Sequence, residues 1–276
     1  MPNTDDELRR LLSDIQQALT QQKELFGDTL YIGPEPETTK ADEEPMPAKK
    51  KPATVAEGPD LFGFVPPKEP SVQDQLPSYS NEPWVSATSL AEFESMICNC
   101  LKCPLGHTRT KFVFGVGDPN ADIVFIGEAP GADEDMQGEP FVGRAGQLLN
   151  KILEAIHFKR EEVYICNILK CRPPNNRDPQ QEEIDTCEPY LWKQLEIIKP
   201  KLIVCLGRVA AQTLLRISDS LNDMRGKVHN YRGMKLVVTY HPAALLRNPN
   251  WKKPTWEDVQ WIRKMYDEMK NPINQG

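Results

Sequence analysis

Residues 123–127 read Ile123-Val-Phe-Ile-Gly127 and run directly into Glu128-Ala-Pro-Gly-Ala-Asp-Glu-Asp-Met-Gln-Gly-Glu-Pro-Phe-Val-Gly-Arg-Ala-Gly146. A short, unbroken apolar run that ends at glycine reads as a strand buried on both faces. The run at 122–126 has three partners of the same texture, at 163–168, 202–206 and 235–240. Helical periodicity fills the gaps: 146–157 (Leu148, Leu149, Ile152, Leu153, Ile156), 179–198 and 208–216. A helix over 89–98 precedes them, and a last one covers 255–270 with Thr255 as its N-cap. Strands alternating with helices imply a mostly parallel sheet covered on both faces, whose ligands bind at the carboxyl ends of the strands. Gly127, Asn167 and Tyr240 each stand where such a strand ends, so the chemistry is expected where the segments after them converge.

Outside this region the texture differs. The chain has 276 residues with a formal charge of −7. Residues 1–85 hold 8 Lys and Arg against 16 Asp and Glu, and the remainder holds 25 against 24. The acid therefore belongs to the N-terminal third, and the rest is free to present basic patches to an anionic partner. A helix is expected within residues 1–30, where Thr4 and Glu7 have capping-box spacing and Leu8, Leu11, Leu12, Ile15 and Leu19 keep a helical period. Residues 31–85 contain 11 prolines in 55 positions and few apolar residues, the composition of a disordered linker. The folded domain is expected over 86–276. No apolar run approaches the ~18 residues of a membrane helix. The acidic N-terminus lacks the apolar stretch of a secretion signal, and seven cysteines is an odd count for a secreted disulfide scaffold. A cytoplasmic location is the expectation.

The loop from Gly127 to Gly146 carries five glycines, two prolines and five acids. Glycine lets backbone approach a ligand closely, yet the loop is neither a Walker A sequence nor a dinucleotide fingerprint. Five carboxylates would repel phosphate. A carboxylate set in a rigid turn suits stabilising positive charge or orienting a water instead. Cys100 and Cys103 form a C-x₂-C pair, Cys171 follows 68 residues later and Cys187 a further 16. Spacing alone permits a structural zinc site, although a zinc ribbon shows two tight pairs. Cys205 reads as a core thiol, and Cys98 and Cys166 lack a partner at such spacing.

Four pieces in this order — the Gly127–Gly146 loop, Asn167 at a strand end, His241-Pro-Ala-Ala-Leu-Leu-Arg247 and the four placed cysteines — resemble the type-4, iron–sulfur uracil-DNA glycosylase family over roughly residues 87–270. The N-terminal extension has no counterpart in that pattern. The resemblance implies a three-layer α/β/α fold around a central parallel four-stranded sheet. It also implies a hydrolase that cleaves the N-glycosidic bond of uracil in DNA, leaving an abasic site for base excision repair. Glu128 and His241 would be catalytic, the former orienting water and the latter supporting the departing uracil anion. Ala129, Gly131, Glu134, Phe141 and Asn167 would surround the base, with Phe141 stacking on it and Glu134 walling off a thymine methyl. An amide at 167 supplies the donor and acceptor that uracil O4 and N3–H require, whereas cytosine reverses the pattern. Ala129 stands where the related extracellular-type motif has Asp, which leaves Glu128 as the catalytic acid. Leu245 would fill the gap in the DNA stack. Arg247, Arg172, Arg177 and the Arg225/Lys227 pair read as phosphate contacts or as solvated charge. Cys100, Cys103, Cys171 and Cys187 would hold a structural 4Fe–4S cluster. A non-catalytic DNA-binding module is the competing reading, but it would be expected to lose Glu128, Asn167 or His241.

The extension offers one further motif. Gln22-Lys-Glu-Leu-Phe26 has a Gln-x-x-Leu-Phe layout similar to short peptides that dock on the bacterial sliding clamp; Leu25 and Phe26 equally complete the apolar stripe that starts at Leu8. The catalytic domain is expected to be monomeric.

Overall fold

The computed structural model describes residues 81–270. The expected N-terminal helix, most of the linker and the Gln22–Phe26 motif lie outside the described residues. Six strands form one sheet: β1 (Val116–Gly117), β2 (Ile123–Gly127), β3 (Tyr164–Asn167), β4 (Leu202–Leu206), β5 (His229–Tyr231) and β6 (Met234–Thr239), in the order β1-β3-β2-β4-β6-β5. The four apolar runs of the sequence are β2, β3, β4 and β6, and they pair in parallel. The sheet is wider than the expected four strands because β1 and β5 add antiparallel edges. Two and three residues long, these edges carry too little pattern to read from sequence. The β5–β6 hairpin turns on Arg232 (φ 51°) and Gly233 (φ 83°), a two-residue loop with both φ positive, whose twist matches that of the flanking strands.

Strand alternation builds the layers. Val124, Ile126, Cys166, Ile203, Cys205, Leu236 and Val238 face one core, shared with α1 (Leu90–Ile97), α2 (Leu105–Thr108), α5 (Gln181–Ile198) and α6 (Arg208–Leu215). Ile123, Phe125, Ile165, Leu202, Val204 and Val237 face the other, shared with α4 (Arg144–Ala155), α8 (Pro242–Arg247) and α9 (Lys252–Lys270). Two short helices, α3 (Ala132–Gln137) and α7 (Leu221–Met224), sit in the connections at the strand ends. Helix α9 starts at Lys252, so Thr255 is not its N-cap; the Thr255 hydroxyl donates 2.7 Å to the carbonyl of Trp251 from inside the first turn. Among the described residues no helix is long and apolar enough to cross a membrane.

The folded region also begins earlier than residue 86. Pro83–Ser86 form a 3₁₀ turn that buries Trp84 against Phe93 (5.6 Å between ring centroids) and Tyr190 (5.3 Å, edge-on). A tryptophan among prolines and acids reads as linker until its pocket on α1 and α5 is seen. Losing a buried aromatic side chain costs about 3–5 kcal/mol. At roughly 2–4 °C per kcal/mol for a domain of this size, Trp84→Ala is expected to lower the melting temperature by about 6–20 °C. A chain trimmed to residue 86 should show the same deficit against one that begins at residue 81, by thermal melts followed by circular dichroism.

Candidate active site

A cavity of about 660 Å³ opens at the carboxyl ends of the parallel strands, and its walls include Glu128, Phe141, Asn167 and His241. Gly127, the last residue of β2, permits this gathering: a Cβ there would overlap both the Asn167 side-chain oxygen and the Phe141 ring. Phe141 itself has a left-handed backbone (φ 54°) and is buried. The loop that holds it so is tied by Glu134, whose carboxylate accepts the backbone N–H groups of Gly131 (3.1 Å), Val142 (2.9 Å) and Gly143 (2.9 Å). Glu134 lines the cavity as expected, but its oxygens serve as a clamp across the loop, a role its sequence position did not reveal.

Asn167 is 2% exposed, and its side-chain oxygen is buried without a hydrogen-bond partner. Such an acceptor costs on the order of 1–3 kcal/mol when left unmet, so the site is poised for a donor. The surrounding backbone is fixed. Ile168 and Leu169 donate their N–H groups to Gly127 and Glu128 (both 3.0 Å), and the fully buried Lys170 ammonium donates to the Asn167 carbonyl (2.8 Å) and to Gln194 (2.6 Å).

His241 caps α8: its Nδ1 accepts the N–H of Ala243 at 3.1 Å. A backbone N–H can only donate, so Nδ1 is the bare nitrogen and Nε2 carries the proton. Burial, with Arg247 adding to it, lowers the imidazole pKa to about 4. The ring is therefore a neutral donor at neutral pH, tilted 31° to Phe141 with 5.4 Å between centroids. Glu128 is shifted the other way. Burial, then the Asp178 carboxylate, raise it to about 7 against the opposing pull of Arg208.

The four cysteines gather on the opposite side of β3 from this floor, packed into or against the α1/α5 core. The Tyr190 hydroxyl donates to Cys100 (3.2 Å), the Arg109 guanidinium to Cys171 (3.1 Å) and the Lys170 N–H to Cys187 (3.3 Å). Burial and then the neighbouring donors and thiols set their chemistry: Cys171 is raised, with Cys103 and Cys100 contributing, and Cys187 is pushed up to about 12. Among the described residues no group of three or more His, Cys, Asp or Glu closes into a ready-made metal-binding set.

The model of the uracil DNA glycosylase superfamily matches residues 114–263. A type-4 uracil-DNA glycosylase from Archaeoglobus fulgidus is 47% identical over 185 residues, which are 64% of this chain and 93% of that protein. The chain belongs to this superfamily. A second type-4 member, that of Thermotoga maritima, is 48% identical over 151 residues (54% of this chain, 79% of that protein). A type-5 uracil-DNA glycosylase from Pyrobaculum aerophilum is 32% identical over 187 residues (56% and 82%).

Against the family pattern, Glu128, Ala129, Gly131, Glu134, Phe141, Asn167, His241, Arg177 and Arg247 all line the one cavity. Four expectations change. Leu245 is 2% exposed and packs in the α4/α9 core rather than standing out at the cavity rim; the exposed leucine of α8 is its neighbour Leu246, 42% exposed. Arg177 is committed to a bidentate pair with Glu183 (2.6 and 2.9 Å). Arg225 is held by Asp258 (2.7 and 2.9 Å) and the Pro254 carbonyl rather than offered to phosphate. Arg172 bonds Asn176 (2.7 Å) and is not part of the cavity wall. Sequence reasoning missed Arg208 and Trp251, which also line it and which no motif flagged, and it read Tyr240 only as a strand end.

The protonation of His241 is directly measurable. Nitrogen–proton correlation spectra are expected to show an Nε2–H tautomer that stays neutral down to about pH 4. An Nδ1–H tautomer, or titration near pH 6.5, would contradict the capping geometry.

Proposed function

We propose that this chain is a uracil-DNA glycosylase that hydrolyses the N-glycosidic bond of uracil in DNA, releasing the free base and leaving an abasic site, as a monomer in the cytoplasm. The buried, unpartnered oxygen of Asn167 carries the reading. Uracil N3–H is the donor it lacks, and the amide's N–H groups meet O4; cytosine presents an acceptor at N3 and a donor at position 4, so it leaves both unmet. Phe141 stacks on the flipped base. The neutral Nε2–H of His241 donates to O2 as the C1′–N1 bond breaks and charge develops on the leaving uracil. Glu128 as carboxylate orients the water that adds to C1′, accepts its proton and balances the positive charge on the sugar. Arg247 and Arg208, at the cavity wall, meet phosphates.

The donors around the four thiols support an iron–sulfur cluster: three receive N–H or O–H donors of the kind that stabilise sulfur ligands, and they come from the α1–α2 link, the segment after β3 and α5. Cys100, Cys103, Cys171 and Cys187 would hold it, and it would supply a cross-link remote from the base rather than a reactive group. About four irons per chain and a brown protein are expected; colourless protein with stoichiometric zinc would overturn the assignment.

In the N-terminal extension, docking of Gln22–Phe26 on a sliding clamp would tether the enzyme near DNA. Titrating a peptide of residues 18–32 against clamp decides between this and a purely structural stripe, since clamp docking requires binding that Leu25→Ala and Phe26→Ala abolish.

Cleavage of oligonucleotides carrying uracil, thymine, hypoxanthine or xanthine tests the function. Uracil is expected to be released by the wild type, and Asn167→Asp should lose uracil excision and gain cytosine excision. Unchanged uracil excision in that variant would remove Asn167 from recognition. The pH profile tests Glu128. Its raised pKa makes the active carboxylate form dominant only above about pH 7, so kcat/KM is expected to fall tenfold per unit below that value and to level off above it. Glu128→Ala should cost about 10²–10³ in rate. A flat profile between pH 5 and 8 would assign the chemistry elsewhere.

A further inference from the structure

The cavity is several times larger than one pyrimidine ring, and its floor residues account for only part of it. The outer wall carries a second aromatic feature that the reaction as derived does not use. Trp251, in the turn Pro249–Trp251 between α8 and α9, stacks on Tyr240 with 5.3 Å between centroids and 16° between planes, yet remains 37% exposed. Both rings line the cavity, and Tyr240 immediately precedes His241.

The support beneath Trp251 is rigid. The Tyr240 hydroxyl donates to Asn222 (2.9 Å), and the Arg225 guanidinium lies 4.5 Å from its ring centroid, itself fixed by Asp258. The Trp251 N–H donates to the Asn248 carbonyl (3.2 Å), and its own carbonyl accepts the Thr255 hydroxyl (2.7 Å). An indole held flat and open at the cavity wall loses little further conformational entropy on binding a second flat, apolar face. Arg208 and Arg247 line the same cavity beside the carboxylates of Glu128, Glu134 and Asp178, and the DNA of the proposed reaction brings phosphates that these two arginines can meet. The ligand with flat faces on an anionic chain is the DNA itself.

We propose that Trp251, backed by Tyr240, is a stacking platform for the base next to the excised uracil. This rests on the uracil-excision reading and adds a site for a second nucleotide. When uracil enters the floor, its neighbour loses a stacking partner, and Trp251 replaces it. Base-on-aromatic stacking strengthens binding by about tenfold. A neighbour in single-stranded DNA is free to take the position, whereas one in a duplex must first leave its own pair. Trp251 therefore favours single-stranded over duplex substrate.

The test uses the full chain, its Trp251→Ala and Trp251→Phe variants, and single-stranded and duplex uracil oligonucleotides. Trp251→Ala is expected to raise KM for single-stranded substrate about tenfold, with a smaller rise for duplex and kcat changed less than about twofold. Trp251→Phe should recover most of the loss. With 2-aminopurine beside a non-cleavable 2′-fluoro-deoxyuridine, the wild type should quench fluorescence on one flank of the uracil, and Trp251→Ala should not. Unchanged KM and unchanged quenching in Trp251→Ala would overturn the platform, as would a fall in kcat alone. A wild type that excises no uracil would instead overturn the functional reading on which it rests.

Discussion

The end of β2 has no room for a side chain. Gly127 is packed so closely by Asn167 from β3 and by Phe141 from the following loop that any Cβ would displace one or both. The rest of the site depends on that contact. The parallel pairing of β2 with β3 sets Gly127 beside Asn167 in register, and the Glu134 clamp returns the loop so that Phe141 reaches the same point. Gly146 completes the fit, since a Cβ there would run into the Phe141 backbone. His241 arrives from β6 on the other side of β4, capping its own helix. Phe141, Asn167 and His241 thus come from segments at three strand ends, brought together by sheet topology and by the clamp across the loop after β2.

The thiol group and the cavity are linked through one buried segment. Asn167 ends β3 and Cys171 lies four residues on; between them, Lys170 donates from its side chain to the Asn167 carbonyl and from its backbone to the Cys187 sulfur. Lys170 is fully buried, and its ammonium is met by two carbonyl oxygens with the thiols nearby. A cross-link through Cys171 and Cys187 would therefore stiffen the backbone that presents the amide.

Much of this was readable in the sequence, because the parallel strands are buried on both faces and so appear as unbroken apolar runs. The loop after β2, Asn167 and His241 lie at strand ends, but it was the resemblance of their motifs to a known family that made them stand out. What escaped depends on contacts far apart in sequence or too small to leave a pattern. The edge strands are too short for alternation, and Trp84 lies in Pro-rich surroundings. Leu245 and Leu246 are adjacent on one helix, so only the packing of α8 on α4 and α9 decides which is buried. Arg225 looked available until Asp258, 33 residues away, was seen to hold it. Trp251 carries no motif and is placed by its stack on Tyr240.

The close packing at Gly127 is also the point at which the account is most exposed to test. Gly127→Ala adds one methyl group to a buried, well-packed strand end, so the protein is expected to fold and melt within several degrees of the wild type. Displacing the base-reading groups by about an ångström can cost 10²-fold in rate. The deciding measurement is the single-turnover rate of uracil release by Gly127→Ala at saturating enzyme. A fall of about 10²-fold or more in a folded protein is expected; a rate within a few-fold of the wild type would contradict the claim that this contact assembles the site.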